Sequence, residues 1–423
     1  MADGAYGRAV EEEVRQIAAQ LGVADFVYTV PQLAKGNGTR EIADILLISN
    51  GRGAVLQVKT REPGSRPEDG TTWIASKGGG EKAYRQGSGT RRQIDFLQKS
   101  ETPVIAYPVR SADWSDDDRH AAGLVLDMDV SSWPTVIIVD HPDIDDTVPT
   151  RLDAFWITTE DWLWLNRALR SVTGLLVYAE RILESGVEVL LPLGHEGERF
   201  RRMVEADAAF ATQGGVWSKP WLTADTLNDP TGAQLYRELL ERIWPPDVDH
   251  PLTVPIETMR RVLEFLDDLP PGMQASVGRW ILRKRSELSK GPWASGAVMF
   301  NNDRLLVFGC STAKRYDGPE RFDADLGTLA WVRADEVHRQ GGAISSVLAV
   351  GHLVGDGFVD YRYIYAEPPH FVPEDIRRFV LHHYGMFDLT TGRAIEVRAG
   401  RNDPCPCGSG LKFKLCEAKS SNG

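Results

Sequence analysis

Nowhere in the 423 residues does an apolar run approach the roughly 18 needed to span a bilayer, so no membrane segment is expected. The opening residues 1–13 lack a basic start followed by an apolar stretch, so they do not read as a secretory signal, and a cytoplasmic location is expected. Cysteine is scarce. There are four, Cys310, Cys405, Cys407 and Cys416, and the clustering of three within twelve residues, in a chain that shows no secretory signal, points to metal rather than disulfides. No G-x-x-x-x-G-K-S/T phosphate loop occurs, which excludes an ATPase motor of that type. A basic surplus is missing too: the formal net charge is −12, which argues against polyanion binding over the whole surface. Internal repeats and long low-complexity tracts are absent.

What is present is an ordinary globular composition, 42% hydrophobic and 26% charged, in a chain long enough for two or three cored domains. The charge is uneven. Residues 1–110 hold 15 lysines and arginines against 13 acids, whereas the remainder holds 33 against 47. Contact with phosphates is therefore expected of the N-terminal part, and the acidic remainder is expected to be repelled by nucleic acid or to face a protein. An amphipathic helix is expected over Arg8–Leu21, with strands at Asp25–Val30, Ile42–Ser49 and Ala54–Thr60. Arg61–Gly80 reads as a loop, rich in Gly and Pro. A helix follows over Glu81–Gln98, then strands at Val104–Val109, Gly123–Asp127, Thr135–Val139 and Ala154–Thr158, and a helix over Glu160–Leu169. The middle reads as helices His195–Gln213, Ala233–Ile243, Pro255–Leu266 and Gly272–Leu288. Strand signals return at Ala297–Gly309, Thr328–Arg333, Ser346–Leu353 and Tyr361–Ala366, with a helix over Glu374–Tyr384.

The segment Asp44–Lys59 places two β-rich runs around Asn50-Gly51, a pair that accepts the positive φ angles of a two-residue hairpin. If these two residues form the loop, Ser49 pairs with Arg52, and Asp44 falls opposite Gln57. Gln57 and Lys59 differ by two and share that face. Gly53 would also permit a longer loop, and a slip of one residue would separate the groups. A carboxylate and an amide oxygen suit Mg²⁺, a hard cation that acidifies bound water and offsets phosphate charge. A nearby ammonium steers or deprotonates that water.

At these residues the sequence resembles the PD-(D/E)xK nuclease superfamily, closest to its Mrr-type branch, which has Gln in the place of the second acid. The motif reads Ala43-Asp44, then Gln57-Val58-Lys59, with Ala43 where Pro would stand. The resemblance implies that Asp44 binds metal, Lys59 assists the nucleophilic water and Gln57 supports the site. Gln57 removes one negative charge and so favours one bound metal over two. That branch also has an acid in its first helix. On a helical wheel Val10, Val14, Ile17, Ala18 and Leu21 form the buried stripe of that helix. Glu12 lies far from it, and Glu11 and Glu13 both flank it. The resemblance selects Glu11 as a further metal ligand. Downstream, Lys82, Arg85 and Arg92 stand at helical spacing and either line a phosphate-binding face or form a solvated one. Trp73 either stacks on a base or packs.

Near the C-terminus, Cys405-Pro-Cys407 and Cys416 form a compact thiolate set, with Gly408 and Gly410 allowing the tight turn between them. Metal binding would supply the folding energy of so short a segment. It resembles the SEC-C motif, a zinc-binding tail whose pattern ends in Cys followed by Cys or His. Here Glu417 stands in the last place, as a fourth ligand or beside a three-thiolate site.

The expected architecture is an α/β restriction-endonuclease-like domain over 1–185, an α+β region over 186–395 to which no chemistry is assigned, and a small zinc knuckle over 396–423. The expected function is an Mg²⁺- or Mn²⁺-dependent endonuclease on nucleic acid, with DNA favoured, and the resemblance links it to restriction or defence. Two rivals stand beside it: an inactive nuclease fold that holds nucleic acid, and an adaptor in protein export or quality control that docks a protein partner through the Zn²⁺ tail. Homo-oligomerisation stays open.

Overall fold

The computed structural model describes residues 5–30, 33–35, 38–40, 43–61, 69–149, 151, 153–185, 191–212, 222, 230–243, 255–269, 271–289, 293–300, 303–316, 318–366, 372–377 and 380. The chain forms two compact units, residues 1–233 with 245–275, and residues 234–244 with 276–423. The first unit thus runs beyond the boundary expected at 185 and takes in helices from the middle of the chain.

The first unit is built on a seven-stranded mixed sheet. Its strands are β1 (Val27–Thr29), β4 (Ile45–Ser49), β5 (Arg52–Thr60), β6 (Ile105–Pro108), β7 (Leu124–Val125), β8 (Thr135–Asp140) and β9 (Phe155–Thr158). Their order is β7-β6-β1-β4-β5-β8-β9, with β2 (Leu33–Lys35) and β3 (Gly38–Arg40) forming a separate ribbon. The β4–β5 hairpin is antiparallel, whereas β5–β8 and β8–β9 are parallel. Every residue of β4 is buried, which is why Ile45-Leu-Leu-Ile48 reads as an unbroken apolar run rather than an alternation.

Helices lie on both faces. Helix α1 (Ala5–Leu21) buries Val10, Val14, Ala18 and Ala19, while Ile17 and Leu21 of the expected stripe stay half-buried. It is tied down by Trp162 Nε1, which donates to Val14 O at 3.2 Å. Helix α5 (Thr159–Leu169), which carries Trp162, starts at an N-cap, Thr158, whose side chain accepts from Asp161 N, and ends at Arg170 in the left-handed region (φ 49°). Helix α6 (Val172–Ser185) is capped from another element: the buried Asp267 carboxylate accepts from Val172 N at 3.2 Å and Thr173 N at 2.6 Å. On the other face, Ile94 and Ala83 of α3 (Gly80–Lys99) pack with Leu46, Ile48, Val55, Ile137 and Val139 of the sheet.

Two expectations are corrected. The stretch Arg61–Gly80 is not all loop, because Gly70–Ala75 forms helix α2. Asp69 caps it by accepting from Thr72 N at 2.9 Å, a local bond that outweighs the Gly- and Pro-rich surroundings. Trp73 is buried in this helix against Ile137, Val139 and Trp156, so it packs. The second correction is Thr328–Arg333, expected as a strand. It lies within a long helix, Pro319–Arg339, whose buried Phe322, Leu326, Leu329, Ala330, Arg333, Ala334 and Val337 repeat at helical spacing. A six-residue window rich in β-formers hid the longer period.

Further helices among the described residues are α4 (Asp116–Ala121), α7 (Glu196–Thr212), α8 (Pro230–Glu241), α9 (Ile256–Asp267), α10 (Pro271–Glu287) and α11 (Pro319–Arg339). The second unit carries a four-stranded sheet, β10 (Trp293–Phe300), β11 (Arg304–Thr312), β12 (Ser346–Val354) and β13 (Val359–Ala366), paired in that order. Strands β11 and β12 are parallel, joined through α11, which packs on the sheet through Phe322, Leu326 and Leu329. Cys310 is buried here, as a small apolar filler would be. The Glu374–Tyr384 helix falls largely on residues outside those described; Glu374–Arg377 are helical.

Candidate active site at the end of the central hairpin

The hairpin register follows the two-residue loop. Ser49 pairs with Arg52 and Ile45 with Leu56, which sets Asp44 opposite Gln57 one step beyond the ladder. Asn50 (φ 52°) and Gly51 (φ 70°) supply the two positive φ angles that the turn requires. Gly53 belongs to the strand rather than the loop. A Cβ there would meet the Trp133 indole at 2.2 Å, so glycine at 53 makes room for that ring.

At the open end of the hairpin, Asp44 Oδ2 accepts from Val58 N at 2.9 Å, which pins the carboxylate across the two strands. Gln57 is 2% exposed, and its Nε2 donates to Leu56 O at 3.2 Å, which leaves Oε1 as the amide's acceptor. Lys59 lies two residues on and is half-buried.

The charged groups around Lys59 define the site. Burial holds its ammonium below the usual lysine range, and the like charge of Lys82 pushes it further the same way, while the Asp44 and Glu11 carboxylates oppose the shift. Asp44, Lys59, Glu11 and Lys82 therefore come together from β4's lead-in, β5, α1 and α3. Glu11 is half-buried, whereas Glu12 and Glu13 are exposed, and Glu12 binds Arg15 at 2.7 Å in solvent. Lys82 reaches the cluster because α3 starts hard against α2: a Cβ on Gly80 would meet Ile74 O at 2.5 Å.

The other two cations of α3 are placed differently. Arg85 is exposed and donates from Nε to Glu81 O at 3.3 Å and from Nη2 to Lys77 O at 3.2 Å, so it also braces the start of its helix. Arg92 is exposed two turns beyond and lines a shallow groove with Ser88, Arg91, Asp95 and Ser131.

Sequence patterns did not bring out the pair Tyr6 and Asp140. The Tyr6 hydroxyl donates to Asp140 Oδ2 at 2.6 Å, and this bond, with burial, raises the phenol to about 12. Asp140 ends β8 beside Thr60, so the pair fastens the start of α1 over the strand ends that carry the site. The residues are 134 positions apart, and no local signal joins them.

The donor set, two carboxylates and an amide oxygen, is hard and fits Mg²⁺ or Mn²⁺. Among the described residues, no group of three or more His, Cys, Asp and Glu side chains is gathered as a metal cage. Cys405, Cys407, Cys416 and Glu417 lie outside the described residues.

Residues 401–416 match the SEC-C motif, so the chain carries that motif near its C-terminus. The chain is 48% identical over 48 residues to the protein translocase subunit SecA of Variovorax paradoxus, covering 11% of this chain and 5% of that protein. It is 69% identical over 26 residues to SecA of Acidovorax sp., covering 6% of this chain and 3% of that protein. It is 31% identical over 87 residues to a UPF0225 protein of Vibrio cholerae, so the chain spans 52% of that relative with 20% of its own length. No solved structure matches the chain. Among the described residues, no helix is long and apolar enough to cross a membrane.

Proposed function

We propose that the first unit is a restriction-endonuclease-like, metal-dependent nuclease that hydrolyses phosphodiester bonds of nucleic acid, with DNA favoured over RNA. The observation that carries this reading is the meeting of Asp44, Glu11, Lys59 and Lys82 at one end of the hairpin. Asp44 and Glu11, with Gln57 Oε1 beside them, would hold Mg²⁺ or Mn²⁺. The metal supplies an acidified water and offsets phosphate charge. Lys59 is held where an ammonium is disfavoured, so it can give up or accept a proton near the attacking water and return to the cation as charge builds on phosphate. Asp44 is fixed by Val58 N, which keeps its carboxylate oriented without a search over rotamers.

The test is cleavage of plasmid and single-stranded DNA by the full chain in Mg²⁺ or Mn²⁺, beside Asp44→Ala and Lys59→Ala. Each substitution is expected to lower the rate by about 10²- to 10⁴-fold. Equal behaviour of all three proteins would leave a nuclease fold that only holds nucleic acid.

A second reading rests on the SEC-C motif at 401–416. In it, Cys405, Cys407 and Cys416, with Glu417 as fourth ligand, bind Zn²⁺ and form a protein-docking tail. Affinity capture with the full chain and with a version lacking 396–423 separates this role from cleavage. Loss of all protein partners with cleavage retained assigns docking to the tail, and retention of every partner without the tail removes this reading.

A further inference from the structure

Helix α3 shows two faces of different chemistry. Ala83, Gly87, Thr90 and Ile94 are buried on the sheet. The opposite stripe, Lys82, Arg85, Gly89, Arg92 and Phe96, falls within about 80° on a helical wheel. Lys82, Arg85 and Arg92 are exposed, and a Cβ on Gly89 would meet nothing within 4 Å, so the middle of the stripe is open. The acids that flank it are engaged elsewhere: Glu81 by Arg151 at 3.4 Å and Asp95 by Lys99 at 2.8 Å. Lys82, Arg85 and Arg92 form no ion pair among the described residues. At the far end, Phe96 is 65% exposed, the most exposed large hydrophobic side chain among those described. Beyond it the surface turns acidic, in a groove where Glu101, Asp127 and Asp129 stand beside the Lys99–Asp95 pair.

We propose that this stripe carries an unpaired strand of nucleic acid away from the Asp44–Lys59 cluster, with Lys82, Arg85 and Arg92 on its phosphates and the Phe96 ring stacked on a base. The inference rests on the nuclease reading for its starting point and adds the substrate class, single-stranded DNA or a single-stranded extension of a duplex. A row of cations ending in an exposed aromatic ring is the pairing that single strands need, because their bases offer free π-faces. A base inside a duplex would first have to be unstacked, so a duplex gains phosphate contacts from this stripe and nothing from Phe96. From Lys82 to Phe96 the helix rises about 21 Å, room for roughly four nucleotides and at the lower end of known single-strand site sizes. The acidic groove beyond Phe96 sets the end of the footprint, since phosphates placed there would be repelled.

The experiment is fluorescence anisotropy of a fluorescein-labelled 15-nucleotide DNA, single-stranded or annealed to its complement, with the full chain in buffer free of Mg²⁺ and Mn²⁺. Phe96→Ala is expected to weaken single-strand binding by about 5- to 150-fold, the equivalent of one stacked base, and to leave duplex binding unchanged. Phe96→Tyr is expected to restore it. Arg92→Ala and Lys82→Ala are each expected to reduce the slope of log affinity against log salt by about 0.7, the share of one single-strand phosphate. The exposed Lys99, already paired with Asp95, serves as control through Lys99→Ala. Equal loss on both DNAs, or none from Phe96→Ala, overturns the proposal. Its fate is separable from that of the nuclease reading. Phe96-dependent binding without cleavage in Mg²⁺ upholds the track and removes the enzyme, whereas cleavage with Phe96→Ala inert does the reverse.

Discussion

At Lys59 the surroundings penalise the charge that phosphate chemistry would use. Burial and the Lys82 ammonium outweigh the attraction of Asp44 and Glu11, so the folded-state pKa lies below the unfolded one near 10.5. Between those two values the folded state binds fewer protons than the unfolded chain, and stability rises with pH through that window. Below that window the full penalty is present. Replacing the ammonium by an apolar side chain of similar length should therefore stabilise the protein, and on the nuclease reading it would also slow cleavage. Lys59→Met is expected to melt at a higher temperature than the parent at pH 7, with the gain shrinking as pH approaches and passes 10.5. A calorimetric or dichroism melt of both proteins at pH 7 and pH 10 checks this. A lower melting temperature for Lys59→Met at pH 7 would mean that the ammonium is held favourably and that its neighbours are not arranged to destabilise it. Such trading of stability against function marks sites held in place by the rest of the fold.

At the scale of elements, legibility followed the range of the signal. The β4–β5 hairpin was readable because Asn50-Gly51 fixes the turn, and the turn fixes the register of everything that pairs outward from it. The period of two then put Asp44, Gln57 and Lys59 on one face without any tertiary information. Helix α1 was readable as an element, but its wheel left Glu11 and Glu13 equivalent. What distinguishes them is how the helix lies over the strand ends, fixed by Trp162 on Val14 and Tyr6 on Asp140, contacts 148 and 134 residues apart in sequence. The approach of Lys82 to Lys59 has the same origin, since it depends on α3 docking over the sheet. Helices α2 and α11 were missed for a local reason. Asp69 three residues before Thr72 is a capping signal, outvoted by the Gly and Pro around it. In α11 the branched and aromatic residues of Thr328–Arg333 imitate a strand until the window is widened to include Phe322, Leu326 and Val337. Nothing local could have assigned the first unit its later helices, because Asp267 caps α6 from 94 residues away.

At the scale of the whole molecule, the two units bury titratable groups of opposite sense. In the first, burial raises Asp267 to about 6 and Glu196 to about 7. Groups raised above their unfolded values favour the fold as pH falls through that range. In the second, His352 is fully buried, with its ring against Phe308 at 5.0 Å and Tyr361 at 4.5 Å and neither ring nitrogen hydrogen-bonded among the described residues. Burial, aided by Arg285, lowers it to about 3 from 6.5. The unfolded chain therefore takes up this proton first, and its contribution to stability is complete above 6.5 and lost as pH falls towards 3. Each pH unit inside that window removes up to ~1.4 kcal/mol from the second unit, while Asp267 and Glu196 act the other way in the first. Acidification from pH 7 to pH 5 should thus destabilise the second unit relative to the first, which calorimetry would record as the second unit's transition moving down in temperature relative to the other. His352→Leu keeps an apolar side chain between Phe308 and Tyr361 and removes the titration, so its second-unit transition should stay in place over the same range. If that variant shifts with acid as steeply as the parent, the sensitivity belongs to other groups, and the buried imidazole is not what ties the second unit's stability to pH.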